Sequence, residues 1–265
     1  MSTYRLLVRS LEKNGLAGTW IKGLRFLSQT ARWAFYRRAV ERGELDAKGM
    51  FTLIYRKRIW NDGDTPGSSL SGYGSSLAYT ESLRQRLAEI LRALGTRTLF
   101  DAPCGDFNWM RLVEFPHALG YIGADIVDEM IQANRHRYGS PERQFRVFDI
   151  TRDEFPDADL WFCRDCLFHL SFRDIHAALS GFLRSGIPYL LTTTHVNAEG
   201  FANHDIRTGD WRRIDLCAEP FCFPGQVQYE IVDYVPPEPP RRMCLWTREQ
   251  VAHSLPRLAG AIQAP

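Results

Sequence analysis

Three aspartates in this chain are spaced to hold one polar ligand. Asp101 ends the apolar run 98–100, and Asp125 and Asp149 follow at intervals of 24 residues, each after another apolar run. Ligands of open α/β sheets bind at the carboxyl ends of the strands. Three carboxylates at three such ends suit a ligand with an amine, a ribose diol and an adenine amino group, because each offers a hydrogen-bond donor.

A tight loop follows the first of these acids. Pro103 and Gly105 predict a sharp turn, and Gly105 lacks a Cβ, so the backbone there can approach a ligand closely. An amphipathic segment over 107–114 predicts a helix after the turn. Oxidoreductases share glycine-containing turns of this kind. However, all four lysines precede residue 60, which excludes a lysine Schiff base or a Tyr-x-x-x-Lys pair from the rest of the chain.

The ordered set resembles class I S-adenosylmethionine-dependent methyltransferases over roughly residues 73–195. The set comprises Asp101, Gly105, Asp125, Asp149 and then Cys163-Arg164-Asp165 at the end of a fourth apolar run. The chain departs from the commonest family pattern, in which three alternating glycines follow the first acid. Pro103 and Phe107 occupy the two outer positions here.

The resemblance implies S-adenosylmethionine as the cofactor and a role for each carboxylate. Asp101 would orient the methionine ammonium, Asp125 would bind the ribose hydroxyls, and Asp149 would accept the adenine amine. Asp106 would face the ligand or cap the helix that it starts. The cofactor-binding set expected in full is Asp101, Gly105, Asp106, Asp125, Ile126, Asp149, Ile150, Arg164, Tyr73 and Ser76. No metal is expected, although Cys163, Cys166, Cys217 and Cys222 leave a zinc site as the less favoured alternative.

Transfer of a methyl group to a hydroxyl also needs a proton acceptor. The candidates are His195 at the end of the fifth predicted strand, His204 beside Asp205, His169, and Asp165 in the loop after the fourth strand. Each histidine has an alternative role as a structural hydrogen-bonding group, and Arg164 with Asp165 has one as a surface ion pair. The expected acceptor is a carbohydrate, a glycan or a small metabolite. The alternative is a non-catalytic scaffold of the same fold or a membrane-surface interaction protein.

The first 60 residues differ in charge from the remainder. They carry 13 Lys and Arg against 4 Asp and Glu, whereas the remainder carries 20 against 27, which argues against a nucleic-acid partner. The predicted division is a basic helical extension over 1–59, a cofactor-covering lid or a plain linker over 60–80, and a catalytic domain over 81–265. The extension could rest on an anionic membrane through Trp20, Phe26, Trp33 and Phe35, or pack on the domain or a second subunit. No signal peptide is visible, so a cytoplasmic protein with free thiols is expected.

Alternating strand and helix patterns predict an α/β fold, with a doubly wound, mostly parallel seven-stranded sheet, an antiparallel final strand and an N-terminal helical extension. Thr80 is expected to cap the helix before the first strand, and Ser171 with Asp174 predicts a capping box for a later one. The expected strands are 97–101, 121–125, 144–149, 159–163 and 187–194, closed by a hairpin over 227–234 and 242–247. The expected helices are 107–114, 127–138 and 172–184.

Overall fold

The computed structural model describes residues 32–61, 66–116 and 119–263. The chain divides into two compact units, residues 1–44 and residues 45–265. In the first unit residues 32–42 are helical, and the rings of Trp33 and Tyr36 meet edge to face at 5.5 Å. Of the four residues predicted to face a membrane, Trp20 and Phe26 lie outside the described residues, whereas Trp33 and Phe35 lie within them. Within the described ranges, no helix is long and apolar enough to span a bilayer.

The larger unit is built on a seven-stranded sheet of order β3-β2-β1-β4-β5-β7-β6. Six strands run parallel, and β7 runs antiparallel between β5 and β6, which confirms the predicted fold class. The strands are β1 Thr98–Asp101, β2 Gly120–Asp125, β3 Arg143–Val147, β4 Leu160–Cys163, β5 Tyr189–His195, β6 Glu230–Val232 and β7 Arg241–Thr247. Strands β1 and β2 end on the first two aspartates, and Asp149 follows β3 by two residues.

Helices cover both faces of this sheet, and their apolar faces complete two buried clusters. They are α1 Ala47–Arg56, α2 Glu81–Ala93, α3 Asp128–Tyr138, α4 Phe172–Arg184 and α5 Arg248–Gln263. Helix α2 buries Leu83, Leu87 and Leu91 at helical spacing. Ser171 caps α4 as predicted, because its hydroxyl accepts from the Asp174 N–H at 3.1 Å.

Two local predictions were wrong. The segment 107–114 forms only a short 3-10 turn at Met110–Leu112. Phe107 has a left-handed backbone, with φ of 57°, and packs its ring against Tyr121 and Phe145, so tertiary packing overrides helix formation there. Thr80 does not cap α2, since its hydroxyl donates to the Ser76 carbonyl at 2.9 Å instead.

The boundary of the extension also differs from the expected one. Helix α1 was assigned to the extension over 1–59, yet it belongs to the larger unit, which begins at Leu45. The reason is burial: Met50 and Ile54 are 1% and 2% exposed, and Phe51 packs against the main hydrophobic cluster. Lys48 and Arg56 form ion pairs with Asp128 and Glu129 at the start of α3.

Candidate functional site

A cleft of about 1140 Å³, its open mouth included, lies at the carboxyl edge of the sheet. One wall consists of the loops that follow β1 to β4. The opposite wall consists of α1, Trp60 and the segment 66–80, here called the covering segment. The predicted residues that line the cleft are Asp101, Gly105, Asp106, Asp125, Ile126, Asp149, Ile150, Arg164, Asp165 and His169.

Asp101 is the most deeply buried acid of the cleft, at 2% exposure. Its Oδ2 accepts a hydrogen bond of 2.5 Å from the Tyr121 hydroxyl. Burial raises the pKa of Asp101 to about 8, although the Tyr121 hydrogen bond acts in the opposite direction. Within the described residues, no cationic side chain forms an ion pair with Asp101. A cationic group bound in the cleft would therefore provide the ion-pair partner that the Asp101 carboxylate lacks.

Asp125 and Asp149 lie at the neighbouring strand ends. Asp125 accepts the N–H of Gly105 at 3.2 Å and that of Val127 at 3.1 Å. Burial raises its pKa to about 6 despite these donors. Asp149 accepts from both the backbone N–H and the hydroxyl of Thr151, at 2.9 and 2.6 Å. Both carboxylates are thereby held in fixed orientations at the edge of the cleft.

Asp106 fastens the covering segment to the loop after β1. Its carboxylate accepts the hydroxyl of Ser69 at 2.8 Å and the N–H of Leu70 at 2.7 Å. Asn108 donates to the carbonyls of Gly67 and Ser75, each at 3.1 Å. Asp106 therefore holds the covering segment to the loop after β1 and caps no α-helix, because residues 107–114 form none; it also lines the cleft, so its contact with a ligand stays a prediction.

The close approach expected at Gly105 is made by this segment. Gly105 has a φ of 56°, and a Cβ there would collide with the Ser71 hydroxyl. Ser71 and Ser75 line the cleft, whereas the predicted Tyr73 and Ser76 do not. Tyr73 is 47% exposed, and the Ser76 hydroxyl accepts the N–H of Tyr79 at 3.4 Å. The local turn thus directs these two side chains elsewhere.

Arg164 is buried and fully engaged by protein partners. Its Nε and Nη2 donate to the two carboxylate oxygens of Asp233 at 2.8 and 2.9 Å. Nη2 also donates to the carbonyl of Gly74 at 2.7 Å. The side chain is 4% exposed, so the surface ion pair considered above does not describe it. Arg164 joins the loop after β4 to the covering segment.

The carboxylate of Asp165 lines the cleft and lies between two guanidinium groups. Its Oδ1 lies 3.2 Å from Nε of Arg241, and its Oδ2 lies 3.5 Å from Nη1 of Arg164. Its backbone is left-handed, with φ of 51°, and its N–H donates to the Thr193 hydroxyl at 2.9 Å. Burial opposes ionisation, but Arg164 and Arg241 lower the pKa of Asp165 overall. The group is an ionised hydrogen-bond acceptor and a weak base.

His169 is the one predicted histidine among the described residues that line the cleft. Its Nδ1 lies 2.8 Å from the carbonyl oxygen of Asp210. Because a carbonyl only accepts, Nδ1 carries the proton, which leaves the Nε2 lone pair free of it. Burial lowers the pKa of His169 to about 4, so the ring is neutral at pH 7. Trp60 stacks on this ring at 4.6 Å.

The structure places the other two histidines outside the residues that line the cleft. His195 is 3% exposed, its Nδ1 accepts the N–H of Ile214 at 3.2 Å, and its ring faces Phe168 and Trp211. Its position at the end of β5 is as expected, but the loop that follows encloses the side chain. His204 is exposed on that loop, and its neighbour Asp205 accepts the N–H of Phe172 at the start of α4.

Several residues of the covering wall were not singled out from the sequence. Phe51, Ile54 and Tyr55 of α1 line the cleft, as does Leu70 of the covering segment. A signal was present: Asp46 caps α1 by accepting the Gly49 N–H at 2.8 Å, and an apolar group recurs at helical spacing after it. That pattern predicts a helix with a buried face, but not what the face covers.

The sequence matches no protein-family model, and no curated protein is similar to it by sequence. Solved structures are similar in fold. A magnesium protoporphyrin IX methyltransferase from Synechocystis PCC 6803 with bound SAM aligns over 77% of this chain and 98% of its own, with 14% identity and a TM-score of 0.54. The same enzyme with bound SAH gives 14% identity and a TM-score of 0.50 over 73% and 93% of the two chains. The mitomycin 7-O-methyltransferase MmcR gives 15% identity and a TM-score of 0.54 over 82% and 67%.

These similarities establish the fold and extend no further at such identities. Residues 45–265 include the seven-stranded sheet of the class I S-adenosylmethionine-dependent methyltransferases, with one antiparallel strand next to its edge. The cleft lies at the edge of the sheet where ligands of open α/β folds bind.

Proposed function

We propose that this chain is an S-adenosylmethionine-dependent methyltransferase that methylates a hydroxyl of a carbohydrate, a glycan or a small molecule. The observation that carries the proposal is the convergence of Asp101, Asp125 and Asp149 in one cleft of the methyltransferase fold. Site-level chemistry is needed beside the fold, because one fold supports many functions.

The residues of the cleft fit a cofactor that carries a cationic ammonium group. Asp101 is a buried acid with no cationic partner among the described residues, and a methionine ammonium would provide one. Asp125 would bind the ribose hydroxyls, and Asp149 with Ile126 and Ile150 would enclose the adenine. Arg164 is already bound to Asp233 and Gly74, so it supports the methionine end through the covering segment rather than by direct contact.

The chemistry supplied by the bound cofactor is transfer of a sulfonium methyl group, in which the carbon–sulfur bond breaks with its electron pair going to sulfur as the new carbon–oxygen bond forms. His169, whose lowered pKa keeps the ring neutral at pH 7 and Nε2 unprotonated, would accept the hydroxyl proton at Nε2 and release it to solvent. Asp165 would accept a hydrogen bond from the acceptor and orient it. Alignment of this kind contributes up to ~7–11 kcal/mol to oriented reactions.

Calorimetry with S-adenosylhomocysteine tests the cofactor assignment directly. We expect one binding site per chain, with affinity retained in the His169→Ala variant and reduced in Asp125→Ala. An absence of binding by the folded wild-type protein would contradict the proposal and favour the scaffold alternative. Membrane contact by the basic extension stays a prediction, and sedimentation with anionic vesicles at low and high salt tests it.

A further inference from the structure

The imidazole of His169 is held by a loop and a helix that lie far from it in sequence. Resting on the function proposed above, we infer that Gly209 is a positioning residue for His169. It allows the loop after β5 to pack so closely against α1 that this loop fixes which ring nitrogen of His169 carries the proton. Gly209 is not among the described residues that line the cleft, so it acts through His169 rather than on a ligand.

Two consecutive residues of the loop bind both the backbone and the ring of His169. The N–H of Gly209 donates to the carbonyl of His169 at 2.7 Å. The next residue, Asp210, provides the carbonyl oxygen that lies 2.8 Å from Nδ1. The hydrogen bond made by one ring nitrogen sets the tautomer of a neutral histidine. The position of residues 209 and 210 therefore keeps the proton on Nδ1 and leaves Nε2 to accept the proton of an acceptor hydroxyl.

Glycine is required at residue 209 for two separate reasons. Its φ is 98°, a conformation that residues with a side chain rarely adopt. A Cβ there would also collide with Cγ of Met50, which is a buried residue of α1 at 1% exposure. Because Cγ lies near the start of a closely packed side chain, it has little room to move away. An alanine would thus push the loop away from α1 and lengthen the distance between the Asp210 carbonyl and Nδ1.

The same helix also supports the face of the ring. Phe51 follows Met50 in α1, and its ring lies 6.1 Å from that of Trp60. Trp60 in turn stacks on His169 at 4.6 Å, with an interplanar angle of 27°. Helix α1 therefore supports the ring plane through Trp60 and the tautomer through Gly209. This enclosure agrees with the burial that lowers the pKa of His169 to about 4.

The loop after β5 gives His195 the opposite tautomer. Nδ1 of His195 accepts the N–H of Ile214 at 3.2 Å, and a backbone N–H can only donate. Burial lowers the pKa of His195 to about 4 as well, so this ring is also neutral at pH 7 and carries its proton on Nε2. The same loop thus binds both histidines and leaves an unprotonated Nε2 on His169 but not on His195.

Long-range proton–nitrogen correlation spectra of the full-length protein, labelled with nitrogen-15 in its histidine rings, measure the tautomers at pH 7. We expect the wild-type protein to carry the proton of His169 on Nδ1 and that of His195 on Nε2. The His169→Gln and His195→Gln variants assign the two sets of signals. A wild-type His169 with its proton on Nε2 would overturn the inference, and so would a charged His169 ring at this pH.

The Gly209→Ala variant tests the positioning role. We expect it to lose the Nδ1–H tautomer of His169, while the His195 signals and the affinity for S-adenosylhomocysteine stay unchanged. Gly200→Ala is the matched control, because Gly200 lies in the same loop with a φ of 71°. Among the described residues, no atom beyond its chain neighbours lies within 4 Å of a Cβ there, so both tautomers should stay as in the wild type. Met50→Ala combined with Gly209→Ala removes the collision and should restore the Nδ1–H tautomer.

A folded Gly209→Ala variant that keeps the wild-type tautomer would overturn the inference, as would an equal loss in Gly200→Ala. If Gly209→Ala does not fold, the double variant decides instead: the Nδ1–H tautomer supports the role of Gly209, and the other tautomer overturns it. Failure of the wild-type protein to bind S-adenosylhomocysteine in calorimetry would contradict the proposed function itself, whatever the tautomers are.

Discussion

The two walls of the cleft differ in how their side chains reach it. The sheet wall takes Asp101, Asp125 and Asp149 from the ends of three consecutive strands, so each acid is placed by its own strand. The covering wall takes Phe51 and Trp60 from segments before the sheet, and Trp60 stacks on His169 of the loop after β4. The comparison shows that the acidic side depends on local sequence, whereas the apolar side depends on packing between distant segments.

The largest expected effect concerns His169, where the covering wall meets the loop after β4. His169→Ala should lower methyl transfer to the hydroxyl substrate by ~10²–10⁴-fold, because Nε2 no longer takes the hydroxyl proton. S-adenosylhomocysteine affinity should stay nearly unchanged. Single-turnover rates and calorimetry measure the two quantities separately. His204→Ala, an exposed histidine outside the cleft lining, is the matched control. An equal loss of turnover in both variants would show that His169 is not the specific proton acceptor.

The next effect concerns the sheet wall. Asp125→Ala should weaken S-adenosylhomocysteine binding by ~1.5–3 kcal/mol, since the ribose hydroxyls lose a charged acceptor. Asp157→Ala changes an exposed acid at the opposite edge of the sheet and should leave the affinity as it is. Isothermal titration calorimetry at constant salt measures the S-adenosylhomocysteine affinity of both variants. Unchanged affinity in folded Asp125→Ala would show that the ribose lies elsewhere.

A third prediction uses the pH dependence of Asp101. Its pKa rises from 3.8 to about 8 on folding, so between these values the folded chain binds more protons than the unfolded chain. This contribution to the free energy of unfolding therefore decreases as pH rises through that window, by at most about 1.4 kcal/mol per pH unit. Thermal unfolding from pH 5 to pH 9 should show the slope, and Asp101→Asn should reduce it.

The same group links pH to cofactor affinity with the opposite sign. A methionine ammonium pairs with the ionised carboxylate, so binding of S-adenosylhomocysteine to the wild type should strengthen as pH rises toward 8. Asp101→Asn should bind weakly at every pH. A wild-type affinity that is flat between pH 6 and pH 8 would contradict the ammonium contact, even if the stability slope is observed.

The smallest expected effect is that of deleting the first unit, which tests whether the covering wall begins at α1. Deleting residues 1–44 removes the first unit and keeps α1, so S-adenosylhomocysteine affinity should change by less than about 0.4 kcal/mol, or roughly twofold. Fluorescence-monitored unfolding provides the control that the shortened chain is folded. A large loss of affinity in a folded deletion variant would place part of the site in the first unit.

Much of the sheet was predictable, and much of the site was not. The strand ends were predicted from apolar runs that are bounded by turn residues. Ser171 was predicted to cap a helix from the residues next to it in sequence. The segment 107–114 failed because Phe107 is held in a left-handed backbone by an aromatic cluster assembled from other elements. Arg164 lines the cleft, but the partners that fix its side chain, Asp233 and Gly74, lie far away in sequence and could not be predicted.

The sequence by itself determined where the strands lie along the chain and which acids stand at their ends. The physical reason is that a strand directs its last residue to the edge of the sheet, and parallel strands share that edge. Only the tertiary structure decided among His169, His195 and His204, because each follows a strand or lies in a loop with the same local pattern. The packing of Trp60 and of the chain near Asp210 places His169 in the cleft, while the loop after β5 encloses His195.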